Sequence, residues 1–347
     1  MNITQISIDL AKNVFQVCCV NRALKPLSNK KVSRSKLVLT MEQLPRCTVF
    51  MEACYSAHYW GRRLNAMGFT VKLIPAQHVT PFVRGNKNDS NDALAIIEAG
   101  NRPNLRFVPV KPQEKQDLQT LQRIRRHYIT ERTALSNQVR GLLSEYGIVI
   151  PLGRRNVIAE LPYILEDANN ELSVPIRSVF SEQLKQLRNI NQHVDNLDKQ
   201  ILQLSAQFSD FERLCEIPGI GLQVAATLLS SIPDIQNFKT SRDLAVWIGL
   251  TPRQEASGNK SRMLGISKRG NVELRTMLIH AARVHLYRVK STQSHIKNWA
   301  ESIAVRRGAQ IAMVALAHKM ARIVWALLRY QTHYQENGRP EKCYKAQ

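Results

Sequence analysis

The chain has 347 residues, and its 49 Lys and Arg against 27 Asp and Glu give a formal net charge of +22. A surplus of this size is typical of proteins that bind nucleic acid, because basic side chains displace counterions from phosphates; the alternative is a basic but otherwise ordinary enzyme. The length predicts two or three domains. Six cysteines without C-x-x-C spacing argue against a zinc site and a disulfide framework.

Residues 1–110 alternate strand-like and helix-like segments, which predicts an α/β domain. We expect strands over 3–9, 14–20, 48–52 and 70–74, and helices over 56–67 and 89–100. The first two strands read as a hairpin. The basic stretch 22–36 that follows them is assigned no element.

Four carboxylates in this domain stand apart from other acidic residues. No Asp or Glu occurs between Asp9 and Glu42, or between Glu52 and Asp89, and Asp92 follows three residues after Asp89. Carboxylates at strand ends, together with a pair three apart on a helix, can hold divalent metal against a phosphodiester. Taken singly, Asp89 could be a helix cap and Glu52 a satisfied buried acid, but these explanations leave the set of four unexplained.

Residues 111–212 are predicted to be helical and elongated, with a heptad seam of apolar residues in the second half. The seam either dimerises the protein as a coiled-coil arm or pairs with the helix predicted over 118–146 as an internal hairpin, and the spacing does not choose between them. The seam residues are Leu187, Ile190, Val194, Leu197, Ile201, Leu204 and Phe208.

Residues 213–330 are predicted to form a mostly α domain, followed by a polar, frayed tail over 331–347. Pro218, Gly219 and Gly221 resemble the hairpin of a helix-hairpin-helix module, which would bring backbone N–H groups to a phosphate. Any tight turn between helices could use the same glycines. The apolar run 311–328 contains His318, Lys319 and Arg322, so we expect it not to span a membrane.

Ser257 lies in a segment read as a basic loop, at the start of the densest candidate phosphate surface. Residues 253–290 contain nine Lys or Arg and only two acidic residues. An exposed serine can act as a nucleophile, although Ser-Gly in a loop is most often only a turn. We expect nucleic-acid contacts from Arg253, Lys260, Arg262, Lys268 and Arg269.

Several motifs together resemble one family of proteins. They are Ile8-Asp9-Leu10-Ala11-Lys12, Met51-Glu52-Ala53-Cys54, Asn88-Asp89-Ser90-Asn91-Asp92-Ala93, Ile217-Pro218-Gly219-Ile220-Gly221, Gly249-Leu250-Thr251-Pro252-Arg253, Ser257-Gly258 and Gly265-Ile266-Ser267-Lys268-Arg269-Gly270-Asn271. Their order and content resemble the insertion-sequence "one-ten" family of DEDD transposases, closest to its "eleven-eleven" subgroup. Two departures stand out, because Tyr55 and Ser7 occupy positions where related sequences commonly carry glycine.

The resemblance implies a fold and a chemistry. It implies a RuvC-like (RNase H-type) domain, a coiled-coil arm and a transposase domain. Asp9, Glu52, Asp89 and Asp92 match a metal-binding tetrad that holds Mg²⁺, two ions per site, and Ser257 matches a nucleophile that forms a phosphoserine link to DNA.

The implied partners are donor and target double-stranded DNA, a structured bridge RNA and further copies of the chain, as a tetramer with composite sites. With no signal-peptide shape at the N-terminus, we expect a cytoplasmic protein. Three rival functions remain open: a site-specific invertase, a RuvC-like nuclease or resolvase that uses metal and water alone, and a non-catalytic nucleic-acid-binding protein.

Overall fold

The computed structural model describes residues 2–83, 88–257, 260–288 and 294–336, except for the side chains of Ser257 and Lys260. The chain divides into two compact units, residues 1–113 and 114–347. Each unit has its own hydrophobic core.

The first unit is a five-stranded sheet with helices on both faces. The strand order is β3-β2-β1-β4-β5, in which β1, β2 and β3 are antiparallel neighbours while β4 runs parallel to β1 and β5. Its elements are β1 Gln5–Asp9, β2 Val14–Val20, β3 Pro26–Ser33, α1 Leu37–Glu42, β4 Thr48–Glu52, α2 Ala57–Ala66, β5 Thr70–Ile74, α3 Ala76–Val79, the 3-10 turn Thr80–Phe82 and α4 Asp89–Gly100.

Alternation along the strands divides the core of this sheet into two layers, since successive side chains point to opposite faces. Ile6 and Ile8 of β1 are fully buried with Trp60 and Leu64 of α2 on one face. Phe50 of β4 packs with α4 on the other face. A Cβ at Gly100 would lie 2.6 Å from the Phe50 ring, so glycine lets α4 approach the sheet closely.

The predicted α/β architecture of this unit is confirmed in outline, but one strand was missed. The stretch 22–36 contains β3, an edge strand that pairs only with β2. Its sequence, Pro-Leu-Ser-Asn-Lys-Lys-Val-Ser, carries two lysines and few apolar residues because neither face is fully covered. An edge strand of this composition lacks the apolar alternation by which the other strands are recognised.

The second unit is mainly helical, with one β-hairpin. Its elements are α5 Gln113–Ser144, α6 Arg154–Glu166, α7 Val174–Ser205, α8 Asp210–Cys215, α9 Leu222–Ser231, the 3-10 turn Ile235–Asn237, α10 Ser241–Ile248, β6 Pro252–Ser257, β7 Lys260–Ile266, α11 Val272–Arg288, α12 His295–Arg307 and α13 Ala309–Tyr330.

Helices α5 and α7 lie antiparallel and contact each other through polar as well as apolar side chains. Arg125 Nε donates to Asp198 Oδ1 (2.5 Å), and Arg132 Nη1 donates to Asn191 Oδ1 (3.0 Å). Between these pairs the rings of Tyr128 and His193 stack with centroids 5.2 Å apart. Residue numbers rise along α5 as they fall along α7, which defines an internal helical hairpin.

Six of the seven residues of the heptad seam, all except Leu197, pack in cores formed by the chain's own helices. Leu187, Ile190 and Val194 pack with Leu135 and Val139 of α5 in one cluster. Farther along, Ile201 is fully buried in the core of the C-terminal helices, against which Leu204 and Phe208 also pack. Of the two interpretations of the seam, the structure therefore favours the internal hairpin.

The core of the C-terminal helices is built around α13. One helix in the described part of the chain, Ala309–Tyr330, is long and apolar enough to cross a membrane, and 56% of its most apolar window is buried inside the protein. Leu316, Met320 and Val324 on its inner side pack with α9, α10 and α11. The Trp325 indole N–H donates to the Phe238 carbonyl (2.9 Å).

Two expectations for this unit need correction. The segment around Ser257, read as a loop, is strand β6, which pairs antiparallel with β7. The start of the tail is docked: the Tyr334 backbone N–H and the His333 ring contact the Glu216 carboxylate at 2.9 and 2.6 Å. Residues 337–347 lie outside the described part of the chain.

Candidate active site

Two of the four carboxylates end adjacent parallel strands. Ile8 of β1 pairs with Met51 of β4. Asp9 and Glu52 are the next residues of these strands, so they lie side by side at the same edge of the sheet. They share a face with Ser7 and Phe50, the face covered by α4. The sequence places both acids here because each strand is a short buried run whose last residue is polar.

The other two carboxylates come from the first turn of α4. Asp89 and Asp92 are three residues apart, and this spacing places both on one side of the helix. Asn88 caps the helix, since its side-chain oxygen accepts from the Asn91 N–H (2.8 Å). Asp89 is therefore not the cap, and both carboxylates lie in the first turn of the helix.

A set of polar contacts fixes the start of α4 onto the sheet. The Ser7 hydroxyl, fully buried, donates to the Ala93 carbonyl (2.6 Å), one residue from Asp92. On the edge strand, Asn29 Nδ2 donates to the Ser90 hydroxyl (2.7 Å), and the Asn29 side chain is in turn held by Gln16. These contacts couple the strand of Asp9 to the helix of Asp89 and Asp92.

The electrostatics of Asp9 show that the other three acids act on it. Burial, together with the charges of Asp92, Glu52 and Asp89, raises the pKa of the Asp9 carboxyl from 3.8 to about 6. A hydrogen bond from the Leu10 backbone acts in the opposite direction. Mutual repulsion of this kind is what a bound cation relieves.

The donor set suits a hard divalent cation, although the side chains are not closed around a site. In residues 2–83, 88–257, 260–288 and 294–336 no three acidic, His or Cys side chains are grouped closely enough to hold an ion as they stand. Asp89 Oδ2 lies instead 3.1 Å from the Lys31 ammonium. The buried Gln16 Oε1, on the residue paired with Asp9, accepts no hydrogen bond from a described residue. Oxygen donors with unsatisfied capacity fit Mg²⁺ or a similar ion.

In the second unit Ser257 is the last residue of β6, and its backbone pairs with Lys260 at the tip of the hairpin. The side chains of Ser257 and Lys260, and residues 258–259, lie outside the described part. Arg253 and Arg262 are exposed on the two strands, where Glu255 faces Arg262 across the pair. The geometry thus places the candidate serine at a hairpin end flanked by basic residues.

Two glycines clamp the base of this hairpin. Gly249 and Gly270 both have positive φ, and a Cβ on them would meet the carbonyl oxygens of Arg269 and Trp247 at 1.9 and 2.0 Å. The Ser267 N–H donates to the Thr251 carbonyl (2.8 Å). The exposed side chains of Lys268 and Arg269 project from a segment held by its backbone.

The candidate helix-hairpin-helix residues do not share one environment. Gly219 (φ +94°) packs against α11, where a Cβ would lie 2.5 Å from the Ala281 carbonyl, and the Pro218 carbonyl lies 2.8 Å from His285 Nδ1. Gly221 is exposed at the start of α9. Close packing against α11 is therefore sufficient reason for a glycine at position 219. The backbone at Gly221 is accessible, and the predicted phosphate contact could be made there.

Sequence reasoning did not find the polar residues that support the acids. Lys31, Asn29 and Gln16 come from strands in which they look like ordinary solvated positions. Ser7 was noticed only as a departure from glycine. A weak signal existed in the alternation of β2, where Gln16 interrupts the apolar run Val14–Val20.

Comparisons with known proteins agree over nearly the whole chain. Residues 211–297 match the family described as "Transposase IS116/IS110/IS902 family", and residues 6–148 match a DEDD IS110-type family described as "Transposase". The transposase for insertion sequence element IS1111A of Coxiella burnetii is 42% identical over 95% of this chain and 91% of its own length.

Further relatives extend the range. A probable family 20 transposase of Pseudomonas aeruginosa is 40% identical over 96% of this chain and 99% of its own length. The pilin gene-inverting protein of Moraxella bovis is 23% identical over 95% of this chain and 97% of its own length. With such identity along nearly the full length, the chain belongs to the IS110/IS116/IS902 family of insertion-sequence transposases and is a DNA transposase or recombinase.

Proposed function

We propose that this chain cleaves and rejoins DNA strands through a metal site built by Asp9, Glu52, Asp89 and Asp92 and a covalent link to Ser257. The observation that carries the metal site is the joining of three separate segments, β1, β4 and α4, at one sheet edge, where burial and the charges of the other acids raise the pKa of Asp9. The family's DEDD character implies dependence on a divalent metal; we propose Mg²⁺, with two ions per site.

In this proposal the four acids hold the metal, and the polar side chains of Ser7, Gln16 and Asn29 position the acids. When bound, divalent ions polarise the scissile phosphate and stabilise charge on the attacking and leaving oxygens. Asp9 and Glu52 offer carboxylates from a rigid sheet edge. Asp92 is held near them through the Ser7–Ala93 bond, and Asp89, which now contacts Lys31, would supply the fourth carboxylate to the cation.

Ser257 supplies the nucleophile for strand exchange. Its Oγ forms a bond to phosphorus as one P–O bond of the DNA backbone breaks, and the proton lost by the serine balances the proton gained by the leaving sugar hydroxyl. The serine ester conserves the bond energy for rejoining to a new strand. Exposed Arg253, Arg262, Lys268 and Arg269 would neutralise phosphates, together with Lys260 and the backbone at Gly221.

The remaining partners follow from the resemblance. We propose that a structured bridge RNA guides the choice of donor and target DNA, and that a tetramer combines the acids of one protomer with the serine of another. The surplus of basic residues supports both nucleic-acid partners.

A site-specific inversion reaction is the second candidate function. The match to the pilin gene-inverting protein of Moraxella bovis favours it, since that match also extends over nearly the whole chain. Inversion and transposition would use the same residues and differ in the DNA arrangement. A metal-and-water nuclease would not need Ser257, and a non-catalytic binding protein would need neither Ser257 nor the acids.

One experiment tests the chemistry. Labelled DNA is incubated with the full chain, its RNA and Mg²⁺, then separated on a denaturing gel, and the adduct is mapped to a peptide. We expect an adduct at Ser257 in the wild type and none in Ser257→Ala or Asp9→Asn, with DNA binding retained in both. Cleavage by Ser257→Ala without an adduct would indicate the nuclease, and full recombination by Asp9→Asn would refute the metal site.

A further inference from the structure

A polar pocket of the first unit lies outside the acid cluster. It is a cavity of about 460 Å³ lined by Arg34, Arg63 and Tyr59 together with Asn13, Ser33 and Ser35. None of the residues that line it is acidic. Two guanidinium groups, an amide and three hydroxyls around one cavity make it rich in hydrogen-bond donors.

The arginines of the pocket are held in place by aromatic and polar contacts. The Arg34 guanidinium lies over the rings of Trp60 (5.4 Å) and Phe15 (5.7 Å), and Arg63 Nη1 donates to the Tyr59 hydroxyl (3.0 Å). Trp60 is buried, whereas Tyr59 as a residue is 42% exposed. The pocket therefore combines two oriented positive charges with one aromatic face accessible to a ligand.

The topology places this pocket at the same edge of the sheet as the acids, on the opposite face. Asp9, Gln16 and Lys31 form one row across three strands, and the two rows outward of it are the pairs Phe15–Val32 and Val14–Ser33. Phe15 and Trp60 belong to the core layer under α2, while the acids face α4. A nucleic-acid strand that crosses this edge of the sheet from the acids would therefore reach the pocket.

The chemistry of the lining selects a nucleic-acid strand with an unpaired base. Guanidinium groups bind phosphate through paired N–H donors, and an exposed ring offers a stacking surface to a base that is not held in a duplex. The exposed Tyr55 side chain, in the connection between Glu52 and α2, adds a second ring along the same edge. A duplex would present only its backbone here.

We propose that the pocket of Arg34, Arg63 and Tyr59 is a nucleotide subsite that binds an unpaired stretch of the guide RNA or of a displaced DNA strand next to the acid cluster. This inference rests on the proposed nucleic-acid function and adds a defined site to it. The phosphate accepts hydrogen bonds from the guanidinium groups of Arg34 and Arg63, and the base stacks on the ring of Tyr59.

The test measures binding by the full chain in EDTA, where no cleavage occurs. The probes are fluorescent oligouridylate, oligothymidylate and a DNA duplex of equal length. The pocket variant is Arg34→Gln/Arg63→Gln, and the matched control is Arg22→Gln/Lys25→Gln, which removes two exposed charges after β2, at the opposite edge. Strands carrying 5-iodouracil report the stacked residue by photocrosslinking and peptide mapping.

We expect the pocket variant to bind single strands on the order of tenfold more weakly than the control variant, and the crosslink to map to Tyr59. A larger loss for oligouridylate assigns the subsite to RNA, and a larger loss for oligothymidylate assigns it to displaced DNA. Equal affinities of the pocket and control variants, or an equal loss on duplex, would overturn the proposal.

Two further variants keep the outcome interpretable. Asn13→Asp places a carboxylate in the pocket without removing a side chain that packs in the core, so it should weaken single-strand binding even if the arginine variant is poorly folded. Asp9→Asn should bind the probes at least as tightly as the wild type, because the amide removes a negative charge near the bound strand. The binding measurements can thus refute the nucleotide subsite without refuting the proposed strand cleavage, and a failure of the cleavage experiment leaves the binding result intact.

Discussion

Asp9 combines partial burial with three neighbouring negative charges, and this has a consequence for stability. Because the pKa is raised from 3.8 to about 6, the folded protein binds more protons than the unfolded chain between these pH values. Stability therefore falls as pH rises from about 4 to about 6, and the full penalty remains above that window. The charge that serves metal binding destabilises the metal-free protein.

This predicts a pH-dependent difference between the wild type and Asp9→Asn in EDTA. Above pH 6 the variant should be more stable by about 1 to 2 kcal/mol, because the partial exposure of Asp9 reduces the value of about 3 kcal/mol that a shift of about two units would give. The difference should vanish as pH falls towards 4. Denaturant unfolding across this pH range measures it, and Mg²⁺ should stabilise only the wild type. If the unfolding free energies of the two proteins differed by the same amount at every pH, the proposed shift in the pKa of Asp9 would be contradicted.

The sequence predicts the four acids but not the side chains that support them. Asp9 and Glu52 end apolar runs, and Asp89 and Asp92 begin a helix, so each has a local signal. Ser7 contacts Ala93, 86 positions away, and Lys31 contacts Asp89 through the strand order of the sheet. Such contacts depend on tertiary packing that no local pattern encodes.

Among the secondary-structure elements, those missed are polar ones. Strand β3 is an edge strand, and the described side chains of β6 are all exposed, so neither has the apolar alternation that indicates a strand. The long helices were predicted because their apolar spacing is regular. The heptad seam of α7 indicates a buried face but does not identify its partner, which is the chain's own α5 and C-terminal helices.

The buried seam leads to a prediction about α7. Val194→Asp would place a charge among Leu187, Ile190 and the residues of α5, and should cost about 3 kcal/mol or more of unfolding free energy. Val179→Asp, on the same helix at a position 55% exposed, should cost little. Circular dichroism during urea unfolding compares the two variants.

The result also decides between the two interpretations of the seam. If Val194→Asp keeps its helicity and stability while light scattering shows a smaller assembly, the seam pairs between protomers. If helicity and stability fall together in the isolated chain, the internal hairpin is correct, and the proposed tetramer must use other surfaces.

For the molecule as a whole, the charge of +22 is distributed over both compact units. The first unit carries the pocket of Arg34 and Arg63, and the second carries the exposed side chains around the β6–β7 hairpin. Composition predicts a nucleic-acid partner without locating it. Only the fold shows which basic residues are exposed and which, like Arg275 with its bond to the Ile248 carbonyl, hold the structure together.

That distinction allows a test of the basic surface in the second unit. Lys268→Ala/Arg269→Ala removes two exposed charges, and the fold should persist because the clamp with Gly249 and Gly270 uses backbone atoms. For each phosphate that the variant no longer neutralises, the slope of log K against log salt should become shallower by about 1. Anisotropy titrations with DNA and RNA from about 50 to 200 mM salt measure the slope.

The matched control is Arg188→Ala/Lys199→Ala, which removes two exposed charges from α7 in the same unit. Both variants change the net charge equally, so a general field effect would weaken binding equally in the two. We expect the slope to change only for Lys268 and Arg269, because counterions are released where phosphates are contacted directly. Identical slopes in all three proteins would place the nucleic-acid surface of this unit elsewhere, whereas a loss of affinity in the control alone would move it to the α5–α7 hairpin.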